Sequence, residues 1–287
     1  MRGLMLAGLG LALSATAAQA QTAPQDRPPA VPIKASKIIL VGDSTTQVLS
    51  GWGGSFCAYH VTSFAACVNL ARGGRSTYSY RAEGSWDLAL AEMKTPGFVK
   101  TYVLIQFGHN DQPGKPGRST DLATEFPANL RLYVKEARAA GAEPILLTPL
   151  TRRQFKAGKL DRDLDAWAES IRKVAAEMNV PLVDLNKRSA DAVEALGPSM
   201  ANRFAQVPPV REVSAAALTG TTIANPAATP AAPAAATQSN AAVEPLGDAK
   251  LAFDYTHLGP VGADFFSKMV ADELAVAVST MRPLLVP

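Results

Sequence analysis

Three histidines in 287 residues narrow the search for a general base that works near neutral pH. One of them, His257, follows Asp254 by three residues in Asp254-Tyr-Thr-His257. A carboxylate at that spacing can curl back to the imidazole Nδ1 and fix its tautomer, as the acid of a Ser-His-Asp arrangement must. The same residues could equally cap a following helix and sit in water. A serine able to act as nucleophile stands near the other end of the chain, in Gly42-Asp43-Ser44. Gly, Asp and Ser are also ordinary turn residues. Oxyanion donors are available at Gly73-Gly74, where no Cβ obstructs a backbone N–H, and in the Asn110 amide. Each piece alone has a plain structural reading. Together they match acyl transfer.

These residues are far apart in sequence, so a fold must carry them to one place. Apolar runs at 37–41, 66–70, 101–107, 144–148 and 181–185 read as buried strands. The first stops at Gly42, the second is followed by Gly73-Gly74, and the third by Gly108-His109-Asn110-Asp111. Spacing and capping signals predict helices at 83–93, 121–140, 161–178 and 260–281. In the third of these Leu164, Trp167, Ile171, Val174 and Met178 share one face. The alternation implies an α/β fold, a three-layer αβα sandwich around a parallel, doubly wound, flavodoxin-like sheet of about five strands. Such sheets place their chemistry at the C-terminal strand edge.

The chain opens Met-Arg-Gly, runs apolar over 4–13 and reaches Ala18-Gln19-Ala20. That is the pattern of a secretory signal peptide cleaved after Ala20, too short to anchor in a bilayer. Residues 21–36, rich in Pro, Gln and Ala, read as a disordered lead-in, and 37–287 as a single domain. Within it, about 213–245 forms a low-complexity Ala/Pro-rich insertion expected to be mobile. The net charge is +3, with no Lys/Arg cluster interleaved with aromatics, so neither nucleic acid nor an anionic membrane is indicated as partner. In an exported chain Cys57 and Cys67 read as a disulfide. The alternative is a metal site through Cys57-x-x-His60, which lacks obvious further ligands. Zinc-protease, P-loop, dinucleotide and Gly-x-Ser-x-Gly signatures are absent. Asp and Glu counts alone are silent on a two-carboxylate glycosidase. Trp52, Tyr78, Tyr80, Trp86 and Phe155 could stack on sugar rings, with core packing the expected fate of most.

Gly42-Asp43-Ser44-Thr45, Gly74-Arg75-Ser76, Phe107-Gly108-His109-Asn110-Asp111 and Asp254-Tyr255-Thr256-His257-Leu258 resemble the four blocks of SGNH (GDSL-type) hydrolases. They occur in that family's order, span nearly the whole mature chain, and look most like its rhamnogalacturonan acetylesterase branch. The resemblance implies Ser44 as nucleophile, His257 as general base and Asp254 as its orienting acid. It implies an oxyanion hole built from the Ser44 N–H, the Gly74 N–H and the Asn110 side chain. His109 would hold its loop, Asp111 would hydrogen-bond backbone, and Asp43 would brace the nucleophile turn. The expected activity is removal of O-acetyl groups from an acetylated polysaccharide of the pectin type by an exported enzyme, periplasmic or secreted. No metal or organic cofactor is needed, because an adjacent base activates the nucleophile. A lipase, thioesterase or xylan acetylesterase would use the same triad, as would a glycan O-acetyltransferase. A non-catalytic carbohydrate-binding protein on this scaffold is the remaining reading. The insertion departs from the family pattern, and without charge or aromatics it is expected to dangle. Oligomeric state is not readable from these residues.

Overall fold

The structure, a computed structural model, describes residues 29–224 and 252–286. The expected signal peptide, residues 21–28 of the lead-in and residues 225–245 of the expected insertion lie outside those residues. Lys34–Pro287 forms one compact unit. Among the described residues no helix is long and apolar enough to cross a membrane.

Five parallel strands make the sheet: β1 (Ser36–Gly42), β2 (Ala65–Asn69), β3 (Thr101–Gln106), β4 (Glu143–Leu147) and β7 (Leu182–Val183). A separate antiparallel hairpin, β5 (Phe155–Lys156) and β6 (Lys159–Leu160), lies between β4 and β7 in sequence. The sheet order is β2-β1-β3-β4-β7, with Ile39 of β1 opposite both Val68 and Val103. Every residue of β3 is buried, because helices cover both faces. That is why these strands read as continuous apolar runs instead of alternating.

The helices are α1 (Gly53–Tyr59), α2 (Ser79–Ala82), α3 (Ser85–Met93), α4 (Glu125–Ala139), α5 (Asp165–Met178), α6 (Leu185–Ala201), α7 (Arg211–Leu218) and α8 (Pro260–Ala277). On one face Ile38, Leu40, Leu104 and Leu147 pack with Phe56 of α1, Val193 of α6, and Phe266 and Leu274 of α8. On the other, Ile39, Val41, Val103 and Ile105 pack with Trp86 of α3, Tyr133 of α4 and Trp167 of α5. The result is the three-layer αβα sandwich.

The structure moves several expected boundaries. The 83–93 helix starts at Ser85, because Gly84 takes φ 83° and separates it from α2. The 121–140 helix starts at Glu125, since the Asp121 carboxylate folds residues 121–124 into a turn by accepting the Ala123 and Thr124 N–H groups. The 161–178 helix starts at Asp165, because Asp161 is tied to Gln154 beside the hairpin. The last helix stops at Ala277, with a 3-10 turn over Ser279–Leu284. The 181–185 strand shrinks to two residues, since Leu185 already begins α6, capped by Asp184. The largest correction falls on the expected mobile insertion, whose first residues lie in α7 with Val213 and Ala217 buried. Beyond it the Thr222 N–H donates to Phe155 and Gly220 accepts from the Gly158 N–H, both on the hairpin.

Candidate active site

The chain feeds β1 to one neighbour, β2, and then crosses back to β3 on the other side. The crevice outside β1 and β3 is therefore the topological switch point. Ser44 leaves the end of β1 there, and Asn110 follows β3. Gly42 has to be glycine: a Cβ would lie 2.7 Å from the Gln106 carbonyl oxygen and 2.7 Å from Thr46 Oγ1. Gln106, fully buried at the end of β3, accepts from the Thr46 hydroxyl and from Trp52 Nε1 at 3.0 Å, with the Thr45 hydroxyl 3.2 Å away. Its amide donates to the Thr148 carbonyl at 3.1 Å. One side chain thus fastens the loop after β1 to the ends of β3 and β4.

Asp254 and His257 precede α8 and reach the same crevice. His257 Nε2 lies 2.9 Å from Ser44 Oγ, and Nδ1 lies 2.6 Å from Asp254 Oδ2. Asp254 Oδ1 accepts the Thr256 and His257 N–H groups, each at 2.7 Å. Burial alone would raise that carboxyl, but His257 and these two N–H donors outweigh it and hold Asp254 down at about 2. With an anion fixed on Nδ1, Nε2 is the nitrogen left to accept the serine proton. Ser44 is 8% exposed, whereas the His257 side chain keeps 32% of its surface open to solvent.

The expected oxyanion donors are Ser44, Gly74 and Asn110, from the loops after β1, β2 and β3. Gly74 adopts φ 76°, a conformation glycine takes without strain. Among the described residues neither its N–H nor that of Ser44 donates to another group. Asn110 Nδ2 uses one proton on the Arg75 carbonyl at 3.0 Å, which locks the amide between the ends of β2 and β3 and leaves its second proton.

The remaining expected support residues all lie underneath. Asp43 Oδ1 accepts the Thr45 N–H at 2.9 Å and the Thr45 hydroxyl at 2.8 Å, bracing the turn. Burial opposes its ionisation, yet His109 and those donors keep it below the ordinary carboxylate value. His109 Nδ1 faces Asp43 Oδ2 at 3.4 Å. Burial pulls that imidazole below its ordinary value, with Asp43 opposing. Asp111 Oδ1 accepts the Thr77 N–H at 3.0 Å and the Thr77 and Thr120 hydroxyls at 2.5 Å and 3.0 Å. Burial still pushes its carboxyl up to about 7.

A sequence model of the GDSL-like Lipase/Acylhydrolase family matches residues 40–206, more than half of the chain. The chain belongs to that family. This GDSL-type acylhydrolase is therefore a carboxylic ester hydrolase. It is 35% identical over 179 residues to the rhamnogalacturonan acetylesterase RhgT of Bacillus subtilis, covering 60% of this chain and 74% of that one. Among solved structures, the Bacillus subtilis protein YXIM superposes with TM-score 0.58 at 22% identity, covering 85% of this chain and 57% of that chain. A catalytic mutant of Axe2, an acetylxylan esterase from Geobacillus stearothermophilus, superposes with TM-score 0.51 at 16% identity, covering 84% and 94%. These two likenesses speak for the fold alone.

Two positioning residues of the acylhydrolase escaped sequence reasoning. One is Gln106, read only as the end of a strand. The other is Arg153, 1% exposed, whose guanidinium donates to the Asp254, Thr256 and His257 carbonyls. Burial pulls it down to about 10, with Asp254 opposing. Its only sequence signal was a basic pair, Arg152-Arg153, at the C-terminal end of a buried strand. Of the five aromatics considered for sugar stacking, Trp52, Tyr80, Trp86 and Phe155 are core, and Tyr78 alone is exposed, at 48%. Cys57 is bonded to Cys67, joining α1 to β2 across a Cα–Cα distance of 5.4 Å. His60 contacts the Val286 carbonyl and Asp264 instead of Cys57, so Cys57-x-x-His60 does not form a metal site.

Proposed function

We propose that this acylhydrolase is an exported serine acetylesterase that removes O-acetyl groups from a pectin-type polysaccharide such as rhamnogalacturonan. The observation that carries the mechanism is the line from Asp254 through His257 to Ser44, at 2.6 Å and 2.9 Å. In this reading Ser44 Oγ attacks the acetyl carbonyl while its proton passes to His257 Nε2. The Ser44 N–H, the Gly74 N–H and Asn110 Nδ2 receive the oxyanion. The tetrahedral species collapses, the sugar oxygen leaves with the proton from His257, and an acetyl group remains on Ser44. Water then attacks with His257 again as base, releasing acetate and restoring the serine hydroxyl. The acetyl specificity and the polysaccharide are carried over from the relative named rhamnogalacturonan acetylesterase. Export rests on the signal-peptide pattern of residues 1–20.

The test is acetate release from acetylated rhamnogalacturonan, acetylated xylan and p-nitrophenyl acetate by wild type and Ser44→Ala. The expected result is release from rhamnogalacturonan by wild type and none by the variant, with trapping of an acetylated Ser44 peptide after acid quench. Turnover by Ser44→Ala, or wild-type activity confined to long-chain esters, would overturn the reading.

A further inference from the structure

Three cations, Lys115, Arg118 and Arg152, gather against the His109 and Gly74 segments without enough carboxylates to balance them. The loop between β3 and α4 is closed at its base by the Thr120 N–H on the Asp111 carbonyl. It is pinned within by Ser119, whose hydroxyl accepts the Lys115 N–H at 2.8 Å and donates to the Gln112 carbonyl at 2.8 Å. This fixed loop presents Lys115 and Arg118. Lys115 Nζ donates to the carbonyl of His109, the residue before Asn110. Arg118 Nη1 donates to the carbonyl of Gly74 at 3.3 Å. Both side chains are thus anchored on the backbone of the two oxyanion blocks. The third cation, Arg152, comes from the end of β4, next to the Arg153 that holds the His257 turn. Among the described residues Asp163 is the carboxylate in ion-pair contact with this group; it pairs with Arg152 and also accepts from Gln112 Nε2 at 3.3 Å. Among the described residues Lys115 and Arg118 have no carboxylate within ion-pair distance.

Burial and the facing Arg152 and Arg118 pull Lys115 down to about 8, with Asp43 and Asp163 opposing only in part. A half-buried ammonium held in that condition gains whatever an incoming anion supplies. A guanidinium and an ammonium with donors to spare suit a carboxylate. We propose that Lys115, Arg118 and Arg152 form a carboxylate-reading subsite beside Ser44, which selects acetyl esters carried by uronic-acid sugars over those carried by neutral ones. The inference rests on the acetylesterase reading and deepens it. A substrate whose acetyl carbonyl lies among Ser44, Gly74 and Asn110 brings its flanking groups against cations tethered to those same blocks. A neutral xylan offers them nothing to bind.

The experiment compares O-acetylated uronic-acid oligosaccharides with the same oligosaccharides after methyl esterification of their carboxyl groups. Acetate release is measured for wild type, Lys115→Gln, Arg118→Gln and Lys115→Arg, with thermal melts to confirm folding. Wild type is expected to favour the free-carboxylate form by about tenfold in kcat/KM, mainly through KM, the scale of one charge-assisted contact discounted for solvent. Either Gln variant should erase most of that preference, and Lys115→Arg should retain it. Added salt should compress it, and so should raising the pH past about 8, where Lys115 loses its charge. Equal rates on both forms by wild type would overturn the proposal and leave the esterase reading standing. An equal loss on both forms in the Gln variants would also overturn it, since it would show a general electrostatic effect on the oxyanion. Wild type that cleaves p-nitrophenyl acetate but releases acetate from neither oligosaccharide would overturn both.

Discussion

Arg153 Nη2 donates to the main-chain oxygen of His257 at 2.8 Å from a position with almost no exposure. The same nitrogen reaches the Asp254 carbonyl at 2.9 Å, and the Arg153 N–H donates to Tyr255 at 2.9 Å. The turn carrying acid and base is therefore clamped from beneath by one residue after β4. A lysine could satisfy one of these carbonyls but not all. Arg153→Lys is expected to lower kcat by about 10²-fold through misplacement of the imidazole, with a smaller change in KM. Steady-state kinetics on p-nitrophenyl acetate read the split; a KM effect alone would contradict the positioning role.

Within the site, the two kinds of residue differ in what they cost. In the proposed mechanism Asn110→Ala removes one oxyanion donor, and kcat should fall by about 10²–10³-fold. Asp254→Asn leaves the shape but no longer fixes the imidazole tautomer, and about 10⁴-fold is expected. Single-turnover acetate release on the purified variants would measure both. An Asp254→Asn enzyme within tenfold of wild type would remove Asp254 from the triad.

Stability should respond to pH in two opposite ways. Asp111 has its folded-state value raised from 3.8 to about 7. The folded protein therefore holds a proton that the unfolded chain releases, and stability present below about 4 is lost as pH rises through about 7. The slope is at most about 1.4 kcal/mol per pH unit. Asp254 is depressed from 3.8 to about 2, so its contribution is present above about 4 and is lost as pH falls towards 2. Urea midpoints between pH 3 and 9, an experimental range of roughly the width these titrations need, should fall towards the alkaline side. Asp111→Asn should flatten that limb; an unchanged slope would show that another group titrates there.

The Cys57–Cys67 bridge spans a sequence separation of 10. Closing so short a loop stabilises by about 2–3 kcal/mol in the chain-entropy picture. Cys57→Ser with Cys67→Ser should lower the thermal midpoint, as should reductant on wild type, and acetate release at 25 °C should persist (roughly the reference temperature for these energies). Loss of activity at full folding would instead tie α1 directly to the site.

How much of this was legible in the sequence depended on the kind of signal. Ser44, Asn110, Asp254 and His257 could be singled out because each is a reactive or donating type placed at a strand end or before a helix, and few alternatives existed. Strands covered on both faces were visible as unbroken apolar runs, which gave the five-stranded order its raw material. Helix α1 was hidden by Gly51, Gly53 and Gly54, which suggest a turn until α8 and β1 pack against Phe56. Helix α7 was hidden by composition: its alanines carry little periodic signal, and only its packing against Phe253 and Tyr255 gives Val213 a reason to be buried. Gln106 and Arg153 were invisible because their importance lies in partners 42 to 104 residues away.

Ser44 and His257, the proposed nucleophile and base, are separated by 213 positions in the chain. All five strands are complete by Val183, yet the imidazole arrives only with the segment leading into α8. Esterase turnover during refolding would consequently act as a clock for the final docking event. A half-assembled molecule, however native its sheet, would leave its surroundings unhydrolysed.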